Sequence, residues 1–374
     1  MECHQRSACL GRSMDRANPT RVVVGMSGGV DSAVAALRLV ESGYDVHGLF
    51  MSNWDDEDSY CTSAQDYQDA RATARELGIV LHRVSFALEY QQQVFGQFLA
   101  EYRRGRTPNP DVLCNREIKF GICLHYAQRL GAVWFATGHY ARLAQGETGP
   151  ELLRGNDTAK DQSYFLCGVE RSKFAQVMFP LGALTKSEVR AQARRAGLPV
   201  YNKPDSTGIC FIGERPFAEF LARYLPESPG PIETITGQVL GTHRGLPFYT
   251  LGQRGGLEIG GIRGGSGDPW YVARKDAARN ALIVVAARDR AVASTQAART
   301  GVVNWLTEPP GESFAAAIKV RYRQPDQAAH ITCRPDGTAQ IRFDAPQWAV
   351  TPGQTAAFYL HDRCLGGGVI EESL

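Results

Sequence analysis

The chain has 374 residues, which is too long for one compact core and predicts two or three domains. Its hydrophobic content of 43% and charged content of 21% are those of an ordinary globular protein, and its formal net charge is only +2. So small a charge excludes a protein that coats nucleic acid nonspecifically, so any RNA must be met by local basic patches. No run of about 18 apolar residues occurs, which argues against a membrane span.

The cysteines and the N-terminus indicate the compartment. There are nine cysteines, an odd number, and none forms a Cys-x-x-Cys pair. This pattern argues against a zinc knuckle, a cysteine-ligated iron–sulfur cluster and a secreted disulfide framework, and we predict no protein-bound metal site of that kind. Residues 1–20 are polar and lack the apolar stretch of a secretory signal, so we expect a disordered leader or a later start at Met14. A cytoplasmic location is therefore predicted.

The N-terminal half alternates strands and helices. The pattern predicts strands over 22–25, 46–51, 79–84 and 133–137, and helices over 31–42, 63–77, 88–103, 116–130 and 186–196, the last opened by a Thr185–Glu188 capping box. Such alternation indicates an α/β fold with a doubly wound parallel sheet. Ligands bind beyond the carboxyl ends of the strands in these sheets, so we expect the turn after Gly25, the end of the Met51 strand and Gly138 to meet there.

The turn within residues 22–32 is suited to pyrophosphate. Consecutive backbone N–H groups at Gly28 and Gly29, joined to a helix N-terminus, make a concave anion site. Asp31 can cap the helix or meet a phosphate-bound cation. The chain has no Gly-Lys dipeptide and hence no P-loop for γ-phosphate transfer, so the turn favours chemistry at the α-phosphate with pyrophosphate leaving. For this string alone, an ordinary βα turn stays an open alternative.

A proline-rich segment, Thr107-Pro-Asn-Pro-Asp-Val-Leu-Cys114, precedes the predicted 116–130 helix. Prolines on either side of Asn109 fix φ and stiffen the loop. Asp111 and Cys114 place a carboxylate beside a thiol near a helix N-terminus, where a thiol pKa is lowered toward the reactive thiolate. Asp111 could act as acid or base toward a heterocycle. The alternative is an aspartate helix cap followed by a buried cysteine.

A second cysteine of interest ends the segment Asp205-Ser-Thr-Gly-Ile-Cys210. Cys210 lies in a polar, glycine-containing loop, so it is a candidate exposed, redox-active thiol, or else a loop cysteine without a role. Cys123, Cys167 and Cys333 lie in apolar patterns and are predicted to belong to the core.

Composition changes after residue 212. Residues 213–283 are rich in glycine and proline and predict a small central domain, whereas short alternating strands dominate 284–374 and indicate a C-terminal β-barrel. Asp336-Gly337 predicts a hairpin turn there. We therefore expect a leader (1–20), a nucleotide-binding domain (21–212), a central domain (213–283) and a barrel (284–374).

Basic and aromatic residues offer candidate RNA contacts. Arg321 and Arg323 flank Tyr322, which gives a stacking face between two phosphate contacts, although such a strand is also typical of a solvated face. His139 follows a predicted strand and belongs either to the site or to the core.

Taken in order, these motifs carry a resemblance. Ser27-Gly-Gly-Val-Asp-Ser32, the 107–115 segment, Thr137-Gly-His-Tyr140, Lys160-Asp-Gln162, Asp205–Cys210 and Thr351-Pro-Gly-Gln354 resemble the tRNA-specific 2-thiouridylases. This family belongs to the PP-loop adenine-nucleotide hydrolases and thiolates the wobble uridine of certain tRNAs. The resemblance runs from about residue 21 to the C-terminus, and the Asn-Pro-Asp-x-x-Cys and Ser-Thr-Gly-Ile-Cys motifs are its most specific part.

The resemblance implies roles for individual residues. ATP, with Mg²⁺, would be held by Gly25, Met26, Ser27, Gly28, Gly29, Val30, Asp31, Ser32, Met51 and Gly138. Asp111 would be the acid/base, Cys114 the nucleophile and Cys210 the persulfide carrier, with a Cys114–Cys210 disulfide left after transfer. Contacts to the target base and the rest of the tRNA would come from Asn109, Pro110, Asp111, His139, Lys160, Asp161, Gln162, Arg321, Tyr322 and Gln354. The implied partners are tRNA and a persulfide donor protein, either a cysteine desulfurase or a sulfur-relay protein, with no membrane.

Two other functions explain part of the pattern. A PP-loop synthetase that adenylates a small metabolite would use the glycine turn but would leave Cys114 and Cys210 without a role. A non-catalytic RNA-binding or redox-adaptor protein would leave the nucleotide turn unused. The order of the motifs favours thiolation over both.

Overall fold

A computed structural model describes residues 19–54, 63–205, 217–259 and 268–374. Its strands are β1 (Arg21–Gly25), β2 (Asp45–Ser52), β3 (Val80–Ser85), β4 (Trp134–Ala136), β5 (Ala141–Gly146), β6 (Gly149–Arg154), β7 (Val177–Met178), β8 (Gly230–Thr234), β9 (Val239–His243), β10 (Trp270–Asp276), β11 (Ala281–Ala286), β12 (Ser294–Thr300), β13 (Asn304–Trp305), β14 (Ser313–Lys319), β15 (Gln327–Cys333), β16 (Ala339–Trp348), β17 (Thr355–Leu360) and β18 (Arg363–Ser373). Its α-helices are α1 (Val30–Glu41), α2 (Ser63–Glu76), α3 (Ala87–Tyr90), α4 (Gly96–Arg103), α5 (Pro110–Leu113), α6 (Leu124–Arg129), α7 (Ser163–Leu166), α8 (Lys186–Arg195) and α9 (Phe217–Ala222).

The N-terminal sheet has the order β3-β2-β1-β4-β7, and all its pairs are parallel. Val22, Val23 and Val24 of the central strand are fully buried, as a parallel strand covered on both faces requires. Val23 packs into one core cluster while its two neighbours pack into another, because successive side chains of a strand point to opposite faces. The predicted doubly wound sheet is confirmed.

Two of the helical stretches contain π-helical turns. Residues Gln91–Phe95 join α3 to α4, and Cys114–Cys123 join α5 to α6, so each pair forms one continuous helix. The predicted start of the second helix at residue 116 is wrong, because the helix begins at Pro110. Asn109 caps it: its side-chain oxygen accepts hydrogen bonds from the N–H groups of Asp111 (3.2 Å) and Val112 (3.4 Å).

The C-terminal part forms a barrel. Strands β12-β16-β15-β14-β17-β18 pair in that order, and β12 also pairs with β18, which closes a six-stranded barrel as predicted. Gly337 has φ +80° in the hairpin between β15 and β16. Strands β10-β11-β8-β9 form a separate central sheet.

The β5–β6 hairpin links two parts of the chain. It lies within the predicted nucleotide-binding domain, yet β6 pairs with β18 of the barrel through Leu153 and Arg363. The four predicted domain ranges stay predictions, and this hairpin shows that backbone pairing joins part of the predicted nucleotide-binding range to the barrel. Within the described ranges, no helix combines the length and hydropathy of a membrane span.

Candidate active site

The glycine turn after β1 has a shape that other residues could not adopt. Gly28 has φ +74°, and a Cβ atom there would lie 2.2 Å from the carbonyl oxygen of Asp66. The Ser32 hydroxyl accepts a hydrogen bond from the N–H of Ser27 at 3.1 Å and donates to the carbonyl of Gly29 at 3.1 Å. Gly29 is the N-cap of α1 and donates its own N–H to the Ser27 hydroxyl at 3.4 Å. The first N–H groups of α1 have no acceptor within the helix, which is the arrangement that binds anions.

The ends of β2 and β4 lie beside this turn. A Cβ at Gly138, just after β4, would lie 2.8 Å from the backbone of Asp31 and of Ser32, so the two segments are in close contact. Met51, near the end of β2, accepts a weak hydrogen bond from the Cys123 thiol at 3.4 Å. The expected meeting of the glycine turn and Gly138 at the carboxyl edge of the sheet is thus present.

Lysine reaches the turn from a distant part of the chain. The Lys186 Nζ atom lies 2.7 and 2.8 Å from the two carboxylate oxygens of Asp31, and 2.8 Å from Asp205. Tyr140 donates its hydroxyl to Asp31 at 2.7 Å. Sequence reasoning missed Lys186, although its place as first residue of a helix with a Thr185–Glu188 capping box was predicted and is confirmed. The glycine turn contains no lysine of its own, and Lys186 places one beside it.

Lys203 contacts the turn directly. Its Nζ atom donates to the Gly28 carbonyl at 3.0 Å and to the Asp66 carboxylate at 2.7 Å, and it also pairs with Asp69. Burial opposes the charge of Lys203, but the hydrogen bonds to the two aspartates outweigh it and raise its pKa. Lys203 is also missing from the sequence-based site, because nothing in its local pattern distinguishes it.

Asp205 pairs with three cationic side chains near the turn. Its carboxylate pairs with Lys160 at 2.8 Å and with Arg190 at 2.7 Å, in addition to Lys186. Burial would raise the pKa of Asp205, but the hydrogen bonds and charges of the two lysines overcome this and lower the pKa to about 2. The turn is therefore bordered by cations that carboxylates hold in place, and an anionic polyphosphate would compete for them.

The helix that carries Asp111 and Cys114 packs against the same edge. Phe120 of its π-helical part lies 5.7 Å, centroid to centroid, from His139, the residue after Gly138. Burial raises the pKa of Asp111, and the nearby charge of Lys119 opposes this shift. Cys114 is only 2% exposed. The alternative interpretation of this segment is an aspartate helix cap followed by a buried cysteine. Cys114 is indeed buried, but the side chain that caps the helix is Asn109 and not Asp111.

The other cysteines divide as follows. Cys123 and Cys167 are buried, as predicted, whereas Cys333 is only partly buried at the end of β15, so its assignment to the core is wrong. Cys210 and its pairing with Cys114 lie outside the described residues.

Two of the predicted tRNA contacts, His139 and Asp161, lie in the interior, and a third, Gln162, is partly buried. His139 is 8% exposed between Phe120 and Phe179, and burial and the charge of Lys119 lower its pKa well below the ordinary value. Asp161 is buried and accepts hydrogen bonds from Gly155 N and Ser163 Oγ, each at 3.0 Å. Gln162 accepts a hydrogen bond at 3.0 Å from the N–H of Tyr140, the residue that donates to Asp31. These positions give the side chains structural partners, and their contact with tRNA stays a prediction.

Arg321, Tyr322 and Gln354 also have partners within the protein. Arg321 donates to two carbonyl oxygens and a hydroxyl, and burial lowers its pKa. Tyr322 packs on Phe165, with the ring centroids 4.3 Å apart, and donates to the Lys160 carbonyl at 3.3 Å. Gln354 donates to the carbonyls of Thr107 and Pro108 in the proline-rich segment 107–114, which we call the proline loop.

Comparison with known proteins decides the family. Residues 20–214 match the family described as the tRNA methyl transferase HUP domain, residues 218–286 its PRC-barrel domain, and residues 295–370 the aminomethyltransferase beta-barrel domain. The tRNA-specific 2-thiouridylase MnmA of Chromohalobacter salexigens is 53% identical over 94% of this chain and 93% of its own length. The proteins of the same name from Sodalis glossinidius and Nitrosomonas eutropha are 54% and 52% identical, over 94% and 96% of this chain and 96% and 100% of their own lengths. The chain belongs to the tRNA-specific 2-thiouridylase family.

Membership in the 2-thiouridylase family distinguishes between the candidate functions given by the sequence. The resemblance inferred from the motifs is confirmed, and neither a metabolite synthetase nor a non-catalytic adaptor is favoured. The described geometry fits an ATP-consuming thiouridylase, because the glycine turn and the Asp111–Cys114 helix share one edge of the sheet.

The partly buried carboxyl group of Asp111 predicts a pH-dependent stability. Because burial raises the pKa of Asp111, the folded state disfavours its carboxylate and loses stability as pH rises from the unfolded pKa through the folded one. Asp111→Asn removes this cost, so its melting temperature should exceed that of the wild type at pH 7. The difference should shrink as the pH falls toward about 3, where the wild-type carboxyl is largely protonated in both states.

Thermal melts of the two proteins across this pH range test the expectation. Asp344→Asn, at an exposed position, is the matched control and should show little change. A melting temperature for Asp111→Asn at or below that of the wild type at pH 7 would contradict the inference.

Proposed function

We propose that this chain catalyses the ATP-dependent 2-thiolation of the wobble uridine of tRNA, as a tRNA-uridine 2-sulfurtransferase. The observation that supports it best lies at the end of β4, where Gly138 packs against the lysine-free glycine turn and His139 packs against Phe120 of the helix that carries Asp111 and Cys114. The names of the 2-thiouridylase relatives point the same way.

The first proposed step makes the uracil oxygen a leaving group. The turn at Gly28–Ser32 holds the β- and γ-phosphates through its N–H groups, and Lys186 and Lys203 turn toward them. The uridine O2 atom attacks the α-phosphorus, the bond to pyrophosphate breaks, and an O-adenylated base results. Asp111, whose pKa burial raises, keeps its proton to a higher pH than an ordinary carboxyl, and it donates a proton to the base or removes one from it.

The second proposed step delivers sulfur. The terminal sulfur of a persulfide on Cys210 attacks C2 of the base, and AMP departs with the oxygen. The Cys114 thiolate then attacks the inner sulfur of Cys210, which releases the thiolated base and leaves a Cys114–Cys210 disulfide. A thiol reductant must reduce that disulfide, and a persulfide donor protein must reload Cys210, before the next turnover.

The remaining roles are proposals on the same basis. Asp31 offers carboxylate oxygens that suit Mg²⁺, which would neutralise the phosphates when bound, once Lys186 moves from Asp31 to the polyphosphate. Met51 and Gly138 would border the adenosine, and Asn109 and Pro110 the target base. A cytoplasmic location suits an enzyme whose substrate is tRNA and whose thiols must stay reduced.

The deciding experiment measures the mass of tRNA after incubation with the protein, ATP, Mg²⁺, a persulfide donor and a thiol reductant. We expect a sulfur-for-oxygen mass gain in the anticodon fragment, together with release of pyrophosphate, and neither without ATP. Pyrophosphate release with a small metabolite in place of tRNA, and no mass gain in tRNA, would overturn the proposal in favour of a synthetase.

A further inference from the structure

One turn of the barrel holds the proline loop of the candidate site. The turn comprises residues 351–355, between β16 and the start of β17. The N–H of Thr107 donates to the carbonyl of Pro352 at 3.0 Å. The Gln354 side-chain amide donates to the carbonyls of Thr107 at 2.8 Å and Pro108 at 3.2 Å. Gly353, at φ +94°, brings the two backbones so close that a Cβ there would lie 2.9 Å from Thr107.

The same turn also reaches the helix cap. The Tyr164 hydroxyl donates to the carbonyl of Thr355 at 2.9 Å and lies 3.5 Å from the Nδ2 atom of Asn109. Asn109 caps the helix that begins at Pro110 and includes Asp111 and Cys114. The turn therefore touches the loop at both ends of its proline-rich part.

Arg321 supports the turn from the opposite side. One of its terminal nitrogens, Nη2, donates to the Thr351 hydroxyl at 3.1 Å and to the carbonyls of Ala349 at 3.0 Å and Leu251 at 2.6 Å. That nitrogen is fully engaged within the protein and has no hydrogen left for a phosphate. Lys275 of the central sheet fixes the start of the loop through the carbonyl of Gly105 at 3.1 Å.

The loop needs this external support because of its own sequence. Proline lacks a backbone N–H, so Pro108 and Pro110 remove two donors from a segment of a few residues. The loop therefore has few donors of its own for its carbonyls, and a buried carbonyl without a partner is costly. The Gln354 amide supplies the missing donor to two successive carbonyls.

We propose that Gln354 and Arg321 are positioning residues, which hold the proline loop so that Asn109, Asp111 and Cys114 face the target base. This inference rests on the proposed function, and it gives both residues a role within the protein that is separate from the tRNA contact that the sequence resemblance implies. A displacement of the reacting groups by about 1 Å costs on the order of 100-fold in rate, so loss of the support should lower the turnover of bound tRNA.

Gln354→Met tests the proposal, because methionine has a similar length and donates no hydrogen bond. We expect kcat at saturating tRNA to fall about 100-fold, whatever the change in Kd for tRNA. The rate at which iodoacetamide alkylates Cys114, followed by mass spectrometry of its peptide, should rise at least tenfold as the buried thiol is released. Gln327→Met, at the start of the barrel strand β15, is the matched control and should match the wild type in all three measurements.

Other outcomes are equally informative. A raised Kd for tRNA with an unchanged kcat and an unchanged alkylation rate would overturn the proposal and identify Gln354 as a tRNA contact. If Gln354→Met does not fold, Arg321→Met, which donates no hydrogen bond, should give the same kcat and alkylation pattern, and a wild-type pattern there would overturn the proposal. The alkylation rate does not require thiolation, so it tests the positioning role even if the wild type proves inactive on tRNA.

Discussion

Cys114→Ser should lower thiolation of tRNA by at least about 1000-fold, as loss of a catalytic nucleophile does in other enzymes. A serine hydroxyl is similar in size but cannot attack the persulfide as a thiolate does, so the second step stops. The first step needs no thiol, and tRNA-dependent release of pyrophosphate in the first turnover should continue. Cys114 is buried in a helix, where a serine hydroxyl can donate to a carbonyl of the preceding turn, so we expect the variant to fold.

The measurement is the mass of tRNA beside the yield of pyrophosphate in one turnover. Cys333→Ser is the matched control, since Cys333 is only partly buried in the barrel, and it should retain both steps. Thiolation by Cys114→Ser at the wild-type rate would show that the helix contributes no thiol to the reaction. Loss of pyrophosphate release as well would mean that Cys114 also shapes the nucleotide site.

The sheet and the barrel could be predicted because their signals are local. A buried parallel strand such as β1 is a continuous apolar run, and Asp336-Gly337 specifies its hairpin by turn chemistry alone. The predicted start of the 110–129 helix, at residue 116, is too late because two prolines before it suggest a loop. Proline is nevertheless favourable at the first helical position, where Asn109 supplies the cap.

The candidate site was predictable only where a motif lies in consecutive residues. The glycine turn shows its anion-binding shape in its sequence, but Lys186 and Lys203 reach it from 155 and 175 residues away along the chain. Long-range pairing of this kind leaves no periodic signal. His139 illustrates the reverse case: its place after a strand suggested a surface site, and only the packing of Phe120 and Phe179 reveals it as an interior residue.

Replacement of Lys186 should be most harmful to the first step. Lys186→Met should slow tRNA-dependent pyrophosphate release by about 100- to 1000-fold, the usual effect of removing one group that stabilises developing charge. The lysine now bonded to Asp31 and Asp205 is the cation best placed to follow a polyphosphate into the turn. Its loss also removes a partner that lowers the pKa of Asp205, so that pKa should rise from about 2.

The control for Lys186 is Lys173→Met, which removes the same charge from the 3₁₀ turn Arg171–Gln176, and it should leave pyrophosphate release unchanged. Kinetics at several ATP concentrations separate the two roles open to Lys186. If it binds polyphosphate, KM for ATP should rise while kcat falls. If it only pairs Asp31 with Asp205, the variant should melt earlier and keep wild-type kinetics, and the turn would then have to stabilise the leaving pyrophosphate through its backbone N–H groups and Lys203.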